Sequence, residues 1–289
     1  MPFDETMNHE TAPLISVIVA VLNCKTTLQQ CVDSVARQTY PNKELIIIDG
    51  GSKDGTVDVL RANQEKIAYW ISEPDYGIYS AWNKGLAQAR GDWICFIGAD
   101  DYFWDDTVLE RIAVQLEKLP ASIRVAYGQI TLVSNDMKAL RQKGEPWNHV
   151  KGLFKQFMCI PHVSTMHRRS LFEQHGNFDE SFSIAGDYEF LLRELKTGDA
   201  VFFQNIITAG QRLNGISTNP ANYLKTLREV RRAQRIHGQL LPGRFLLKEM
   251  AKEYFRLLLW KIFGERLAKK LRDLYRRIKG LLPHLTKIR

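Results

Sequence analysis

The chain has 289 residues, of which 45% are hydrophobic and 25% are charged, the usual proportions of a globular protein with a sizeable core. Its net charge of +8 is unevenly distributed, because residues 1–221 carry −6 and residues 222–289 carry +14. An acidic body without a recognised nucleic-acid module makes nucleic acid an unexpected partner. The four cysteines form no CxxC pair, so we expect reduced thiols, no zinc site and a cytoplasmic location.

Targeting and membrane-spanning signals are not found in the sequence. Residues 1–13 are polar and acidic, and they lack the basic-then-apolar order of a signal peptide. No stretch has the uninterrupted apolar length of about 20 residues that a membrane span needs. We therefore expect a flexible N-terminus and a chain that is neither exported nor integral to a membrane.

Apolar, β-branched runs alternate with segments of helical periodicity in the first third of the chain. The runs predict strands, and the segments between them, such as the one that carries Leu28, Val32 and Val35, predict helices. The expected strands are residues 14–21, 44–49, 67–72 and 93–97. This order predicts an α/β fold with a mostly parallel, doubly wound sheet, right-handed crossovers and flanking helices.

Acidic residues follow three of these strands, with Asp49 after the second, Asp75 after the third, and Asp100 and Asp101 after the fourth. In open α/β sheets the carboxyl ends of the strands face the ligand crevice, so these acids are expected to line one site. Adjacent carboxylates repel each other, and a divalent cation such as Mg²⁺ or Mn²⁺ relieves that repulsion. The alternative for Asp100 and Asp101 is a turn followed by a capped helix.

The motifs around these acids resemble those of family 2 inverting glycosyltransferases of the GT-A fold, which is Rossmann-like. The resemblance covers about residues 14–220, and Ser72 to Tyr79 is similar to a branch associated with bacterial polysaccharide assembly. Its four linked motifs are Ser16 to Asn23, Glu44 to Thr56, Asn83-Lys84-Gly85, and Gly91 to Asp101.

The resemblance implies a nucleotide-diphospho-sugar donor, a UDP-sugar above all, and roles for several residues. Asp49 would contact the base, since a carboxylate can read the imide N–H of uracil. Asp75 and Lys84 would help to hold the nucleotide sugar. Asp100 matches the last acid of the DxD motif, so together with Asp101 it would hold the Mn²⁺ or Mg²⁺ ion that bridges the diphosphate and offsets charge on the leaving group.

Candidate residues in the second half are Asp187, His162 and Arg212. The resemblance places Asp187 at the family's Glu-Asp motif, where a carboxylate at a helix N-terminus would act as the general base; the alternative is a simple N-cap. His162 could touch the donor diphosphate or the acceptor, although a lone histidine is more often structural. Arg212 could pair with phosphate oxygens, for which its planar fork is suited, and the alternative is an ordinary surface arginine.

Three positions depart from the family's pattern of acids. Gly50 stands in place of the second acid of Asp-Asp-Gly-Ser, Gly98 in place of the first acid of DxD, and Gly186 in place of the Glu of Glu-Asp. The loss at Gly98 leaves metal binding to Asp100 and Asp101 alone. The three losses together leave open the alternative of a non-catalytic, membrane-associated scaffold that retains the fold.

The basic C-terminal part has apolar residues at helical spacing with Lys and Arg between them, in two stretches on either side of Gly264. Such amphipathic helices suit an anionic membrane surface, at which each Lys or Arg contributes about 1 kcal/mol. We expect a peripheral enzyme on the inner face of the cell membrane, beside a lipid-linked acceptor. Packing of these apolar faces on the catalytic body or on another subunit is the alternative.

Taken together, the sequence predicts a transferase of bacterial surface polysaccharide or glycolipid synthesis that acts on a lipid-linked or saccharide acceptor. Self-association, the sugar and the linkage are left open. The predicted organisation is a flexible N-terminus at 1–13, a GT-A domain at 14–221 with a nucleotide-binding half (14–105) and an acceptor half (106–221), and a basic amphipathic helical extension at 222–289.

Overall fold

The computed structural model describes residues 12–213, 215, 222–256, 258 and 261–262. Within them, nine strands form one sheet. The strands are β1 Ile15–Val21, β2 Lys43–Asp49, β3 Tyr69–Ser72, β4 Trp93–Gly98, β5 Tyr102–Phe103, β6 Val125–Val133, β7 Ala139–Lys143, β8 Thr165–Arg168 and β9 Ala200–Arg212. The helices are α1 Lys25–Ala36, α2 Thr56–Ala62, α3 Ile78–Gln88, α4 Val108–Leu116, α5 Trp147–Phe154, α6 Arg169–His175, α7 Gly186–Leu195 and α8 Tyr223–Ile236.

The first four strands form a parallel half-sheet in the order β3-β2-β1-β4. Val21 pairs with Asp49, and Ala20 with Gly98, so the carboxyl ends of these strands lie at one edge. β1, β2 and β4 are almost wholly buried, as expected for β-branched runs covered on both faces, whereas β3 at the edge is half-buried. The doubly wound arrangement predicted for this half is therefore confirmed, and it brings the acidic strand ends together.

The other half of the sheet is mixed, and the sequence analysis does not predict most of it. β8 pairs antiparallel with both β4 and β6, and β9 runs parallel to β6 and antiparallel to β5. The strand β9 is 13 residues long and ends at Arg212, which pairs with Val133. This long strand delivers its last residues to the edge at which β4 ends.

Apolar side chains fill both faces of the sheet. Val17 and Val19 on β1 point into a cluster that includes Leu28 of α1 and Ile112 of α4. The alternate residue Ile18 faces α3 instead, where it touches the backbone of Gly85 so closely that a Cβ there would lie 2.5 Å from Ile18 Cγ2. The close approach of α3 to the sheet sets the position of its first turn, which borders the candidate site.

The chain divides into two compact units, with the boundary between Leu240 and Leu241. The first includes α8, which the sequence analysis assigns to the basic extension. In the second, residues 244–256 are helical, and no helix among the described residues is long and apolar enough to cross a membrane. Residues 1–11 of the predicted flexible N-terminus and residues 263–289 of the predicted tail lie outside the described residues.

Candidate active site

A cavity of about 450 Å³ opens at the edge where β1 and β4 end, within the size range of small-molecule sites. Its walls come from the ends of both strands, the first turn of α3, the segment before β8 and the start of α7. The cavity brings together five residues that the sequence analysis singles out: Asp75, Asp100, Asp101, His162 and Asp187. These residues are distant in the sequence, so their convergence supports one common site.

Asp100 and Asp101 lie in a tight turn directly after β4, in which Asp101 N donates to Gly98 O at 3.0 Å. A Cβ atom at Gly98 would lie 2.8 Å from Asp100 Oδ1 and 2.8 Å from Asp101 Oδ2. An acid at position 98 therefore has no room while both carboxylates hold these positions. Glycine at position 98, in place of the first acid of DxD, leaves room for the two carboxylates to fold back over the end of β4.

Arg212, at the end of β9, fastens this turn. Its backbone N–H donates to Asp101 Oδ1 at 3.0 Å, and its guanidinium donates to the carbonyl of Asp100 and to Gln30 Oε1. Arg212 is not among the residues that line the cavity. Its predicted contact with phosphate stays a prediction, and its bonds in the structure hold the acidic pair in place.

The residues present fit a divalent cation held by carboxylates. Among the described residues no group of three or more His, Cys, Asp or Glu side chains is arranged to bind a metal. However, Mg²⁺ is usually bound through one or two carboxylates together with substrate phosphates. Burial, together with the charge of Asp100, raises the pKa of Asp101 to about 8, and a nearby cation favours the ionised form. Asp100 and Asp101 would therefore supply the protein ligands.

Asp187 is partly buried at the cavity wall, in the first turn of α7. Its Oδ1 accepts hydrogen bonds from Tyr188 N at 2.8 Å and from the hydroxyl of Tyr79 at 3.3 Å. No bond to its Oδ2 occurs among the described residues, so this oxygen is available for a proton. Burial raises the pKa of Asp187 to about 6 although both hydrogen bonds lower it. Such a carboxyl is ionised at neutral pH yet basic enough to take a proton.

The loop before α7 is held by Glu229 of α8. The Glu229 carboxylate accepts from the backbone N–H of Ser183 at 3.1 Å, of Ile184 at 2.8 Å and of Ala185 at 2.9 Å. These N–H groups belong to the N-cap Ala185 and the two residues before it, and an anion close to a helix start also complements the helix dipole. Glu229 therefore fixes the point at which the helix of Asp187 begins.

Asp49 and Asp75 occupy neighbouring positions but different environments. Asp49 is fully buried, and its carboxylate accepts from Ser52 N at 3.0 Å and Ser72 Oγ at 2.5 Å. Asp75 lines the cavity, and a Cβ atom at Gly50 would lie 2.7 Å from its Oδ2. The carboxylate of Asp75 thus fills the space beside Gly50. The base contact predicted for Asp49 stays a prediction, since Asp49 is not part of the cavity lining.

Lys84 and His162 lie on opposite sides of α3. The Nζ of Lys84 bonds Glu73 Oε1 at 2.7 Å, which ties α3 to the preceding loop rather than to the cavity. The ring of His162 lines the cavity and stacks on Trp82 with centroids 4.9 Å apart. Burial, with a smaller contribution from His167, holds the pKa of His162 well below its ordinary value. His162 is therefore neutral at neutral pH and offers no positive charge to a diphosphate.

Several residues at the site were not singled out from the sequence. Tyr79, Trp82 and Phe96 form an aromatic wall of the cavity, and Glu229 acts from α8. Tyr79 lies within the segment from Ser72 to Tyr79 that carries part of the resemblance, which is the one signal that could have drawn attention to it. A glutamate on a basic amphipathic helix gives no comparable signal, because such a residue is usually a solvated surface charge.

Comparison with known proteins decides the family. A family model described as glycosyl transferase family 2 matches residues 16–176, more than half of the chain. The chain belongs to glycosyl transferase family 2. This family membership confirms the resemblance found in the sequence and the prediction of an enzyme of the glycosyltransferase class.

Curated relatives of this family 2 chain include mycobacterial proteins. A PGL/p-HBAD biosynthesis glycosyltransferase of Mycobacterium bovis is 32% identical over 186 residues, which make up 63% of this chain and 70% of the relative. An uncharacterized glycosyltransferase of Mycobacterium tuberculosis is 36% identical over 185 residues, 63% of this chain and 69% of the relative. Both matches lie well above chance for a shared family.

Solved structures share the fold of the family 2 chain. S. aureus TarS 1-349 in complex with UDP-GlcNAc gives a TM-score of 0.61 at 17% identity and covers 86% of this chain and 73% of that one. In a longer TarS structure, also with a TM-score of 0.61, the match spans 46% of the TarS chain. The mannosyltransferase PcManGT from Pyrobaculum calidifontis, in complex with GDP-Man and Mn²⁺, gives 0.56 at 18% identity, covering 98% and 80%. The predicted fold is confirmed.

Proposed function

We propose that this protein is an inverting glycosyltransferase that moves a sugar from a nucleoside-diphosphate sugar, UDP-linked, to a hydroxyl of a lipid-linked or saccharide acceptor. The observation that carries the proposal is the joining of Asp100, Asp101 and Asp187 in one cavity. The pair of acids suits the diphosphate end of a donor with its cation. The separate carboxylate, held at a helix start, suits the acceptor end.

In the proposed reaction Asp187 takes the proton from the acceptor hydroxyl. The hydroxyl oxygen then attacks the anomeric carbon from the face opposite the diphosphate. As the new carbon–oxygen bond forms, the bond to the diphosphate oxygen breaks, and its electron pair leaves with the nucleoside diphosphate. The configuration at the anomeric carbon is inverted, because a single displacement occurs. Asp187 contributes as general base, an effect typically of about 10²- to 10⁴-fold.

Asp100 and Asp101 would hold the divalent cation, Mn²⁺ or Mg²⁺. When bound, the cation offsets the negative charge that develops on the departing diphosphate. Arg212 keeps the turn that carries both acids in register with β9. Asp49, Asp75 and Lys84 are proposed to contribute to the nucleotide end, and the neutral ring of His162 to contact the uncharged parts of the ligands.

The names of the relatives support the class of product. The Mycobacterium bovis relative is described as acting in PGL/p-HBAD biosynthesis, and TarS was solved with UDP-GlcNAc. We therefore propose that this chain acts in surface glycolipid or polysaccharide synthesis and that its donor carries UDP in preference to GDP.

Calorimetric titration of the full chain with UDP and with GDP, each with and without Mn²⁺, tests the donor end. We expect UDP to bind with an affinity that rises when Mn²⁺ is added, and GDP to bind more weakly. The stereochemistry of the product, read by NMR, tests inversion. Absence of nucleotide binding under every condition, or retention of anomeric configuration, would refute the proposal.

We also propose that the second unit docks the enzyme on the cytoplasmic side of an anionic membrane. Within the described part of its helix, apolar residues such as Leu247, Phe255 and Leu258 are exposed, with Lys248 and Lys261 exposed beside them. Exposed apolar residues next to basic ones suit a surface of anionic lipid headgroups. Docking there would bring the enzyme to a lipid-linked acceptor.

Flotation with vesicles tests the docking surface. The full chain is expected to float with phosphatidylglycerol vesicles and to remain in solution with phosphatidylcholine vesicles. Phe255→Ser combined with Leu258→Ser should weaken flotation several-fold, because it removes apolar area from the bound face. Leu153→Ser, at an exposed apolar residue of the first unit, is the matched control and should float as the unchanged chain does. Equal flotation of all three proteins would exclude this surface.

A further inference from the structure

The space beside Gly186 is occupied by the ring of Tyr79. A Cβ atom at Gly186 would lie 2.8 Å from Tyr79 Cε2 and 2.8 Å from Tyr79 Cζ, closer than carbon atoms approach without one of them moving. Tyr79 is 3% exposed and belongs to the first turn of α3, more than a hundred positions away in the sequence. A residue with a side chain at 186 and the present position of Tyr79 therefore exclude each other.

The hydroxyl of Tyr79 joins the two residues at the start of α7. It accepts a hydrogen bond from Gly186 N at 2.8 Å and donates to Asp187 Oδ1 at 3.3 Å. Accepting from one group orients the hydroxyl hydrogen towards the other, since a hydroxyl has one proton to donate. The ring is fixed in turn by edge contact with Trp82, at a centroid distance of 5.4 Å.

From this geometry we propose that Tyr79 is the positioning residue of Asp187, a role that rests on the proposed function of Asp187 as the base. The phenol of Tyr79, which belongs to α3, occupies the space that a side chain at position 186 would otherwise fill. It holds Oδ1 and leaves Oδ2 to take the proton of the acceptor hydroxyl. Hydrogen bonds of this kind fix the direction of a reacting group, and small displacements of that group are costly to the rate.

The hydrogen bond also acts on the charge of Asp187. The Tyr79 hydroxyl and the Tyr188 backbone N–H both favour the ionised carboxylate, whereas the charge of Glu229 from α8 favours the protonated form. Tyr79 itself stays protonated, because burial first, and then the charge of Asp187, hold its pKa well above the ordinary value. Removal of the hydroxyl should therefore raise the pKa of Asp187 and move the acidic limb of the rate profile to higher pH.

Tyr79→Phe tests the proposal, because it keeps the ring beside Gly186 and removes only the hydroxyl. We expect kcat to fall by about 10-fold or more, as for loss of a hydrogen bond to a charged group, with KM for UDP-GlcNAc or another accepted UDP-sugar unchanged. The acidic limb of the profile of kcat against pH should shift to higher pH. Tyr127→Phe is the matched control: its ring is fully buried, and its hydroxyl donates to Glu145 O at 2.7 Å outside the cavity.

A second readout separates this proposal from the proposed function. In the full chain labelled with ¹³C at aspartate carboxyl carbons, the Asp187 signal should titrate at higher pH in Tyr79→Phe than in the unchanged protein. If the Asp187 titration shifts in Tyr79→Phe but the unchanged protein has no transferase activity, the contact between Tyr79 and Asp187 is supported and the proposed function is rejected. An unchanged titration with an unchanged limb, or equal effects of Tyr79→Phe and Tyr127→Phe, would overturn the role of Tyr79.

Discussion

Asp187→Asn is expected to reduce glycosyl transfer by about 10²- to 10⁴-fold, the range associated with loss of a general base. Asparagine retains an oxygen that can accept the hydrogen bonds from Tyr188 N and the Tyr79 hydroxyl, so the start of α7 should keep its geometry. It cannot take a proton from the acceptor. Single-turnover transfer measures the loss, and calorimetry with UDP should give an unchanged affinity.

The same substitution has an expected effect on stability. The pKa of Asp187 is raised from 3.8 to about 6, so the folded protein binds this proton more tightly than the unfolded chain. Stability from this group is therefore lost as the pH rises between about 4 and 6. Asp187→Asn should relieve that loss and raise the thermal midpoint at pH 8. Asp58→Asn is the control, because Asp58 is exposed and forms an exposed ion pair with Arg61 at 3.3 Å. Transfer by Asp187→Asn at an undiminished rate would remove Asp187 from the role of base.

Asp100→Asn is expected to abolish most of the gain in UDP affinity that Mn²⁺ provides. Because loss of an outer-shell partner alone costs 10- to 100-fold in metal affinity or activity, loss of a direct ligand should cost about 100-fold or more. Titration with UDP in the presence and absence of Mn²⁺ measures the effect. Affinity without metal should not fall and should rise somewhat, since Asp100 repels a diphosphate when no cation is present.

The control for this prediction is Asp106→Asn in the same segment. Asp106 lies outside the cavity and forms an exposed ion pair with Arg37 at 3.2 Å, whose contribution is small. Its substitution should leave the Mn²⁺ effect intact. Asp100→Asn with an undiminished Mn²⁺ effect would show that the cation is held elsewhere, and the loss of the same effect in Asp106→Asn would indicate general unfolding of the loop.

The sequence was most informative where a strand meets an acid. The runs that end at Asp49 and Asp100 are apolar enough to be buried strands, and their order dictates a parallel sheet whose carboxyl ends share an edge. The convergence of Asp75, Asp100 and Asp101 follows from that topology. The placement of Asp187 beside them came instead from the resemblance, because nothing local to α7 indicates which part of the sheet it faces.

The remaining contacts depend on pairings between distant segments. The bond from Tyr79 to Asp187 joins residues 108 positions apart, and that from Arg212 N to Asp101 joins residues 111 apart. A tyrosine or an arginine at such positions has ordinary local reasons to be present, so residue type alone gives no signal. The contact of Asp49 with Ser72 and that of Lys84 with Glu73 were unpredictable for the same reason.

The occupied spaces beside Gly50 and Gly186 have a consequence for how this family varies. Each space holds one side chain, supplied here by Asp75 and by Tyr79. A relative that carries an acid at the position of Gly186 must have a smaller or displaced residue at that of Tyr79, whereas at Gly50 a turn of the Asp75 carboxylate is enough to make room. A side chain at position 186 is thus compatible only with a change at position 79, so we expect these two positions to vary together.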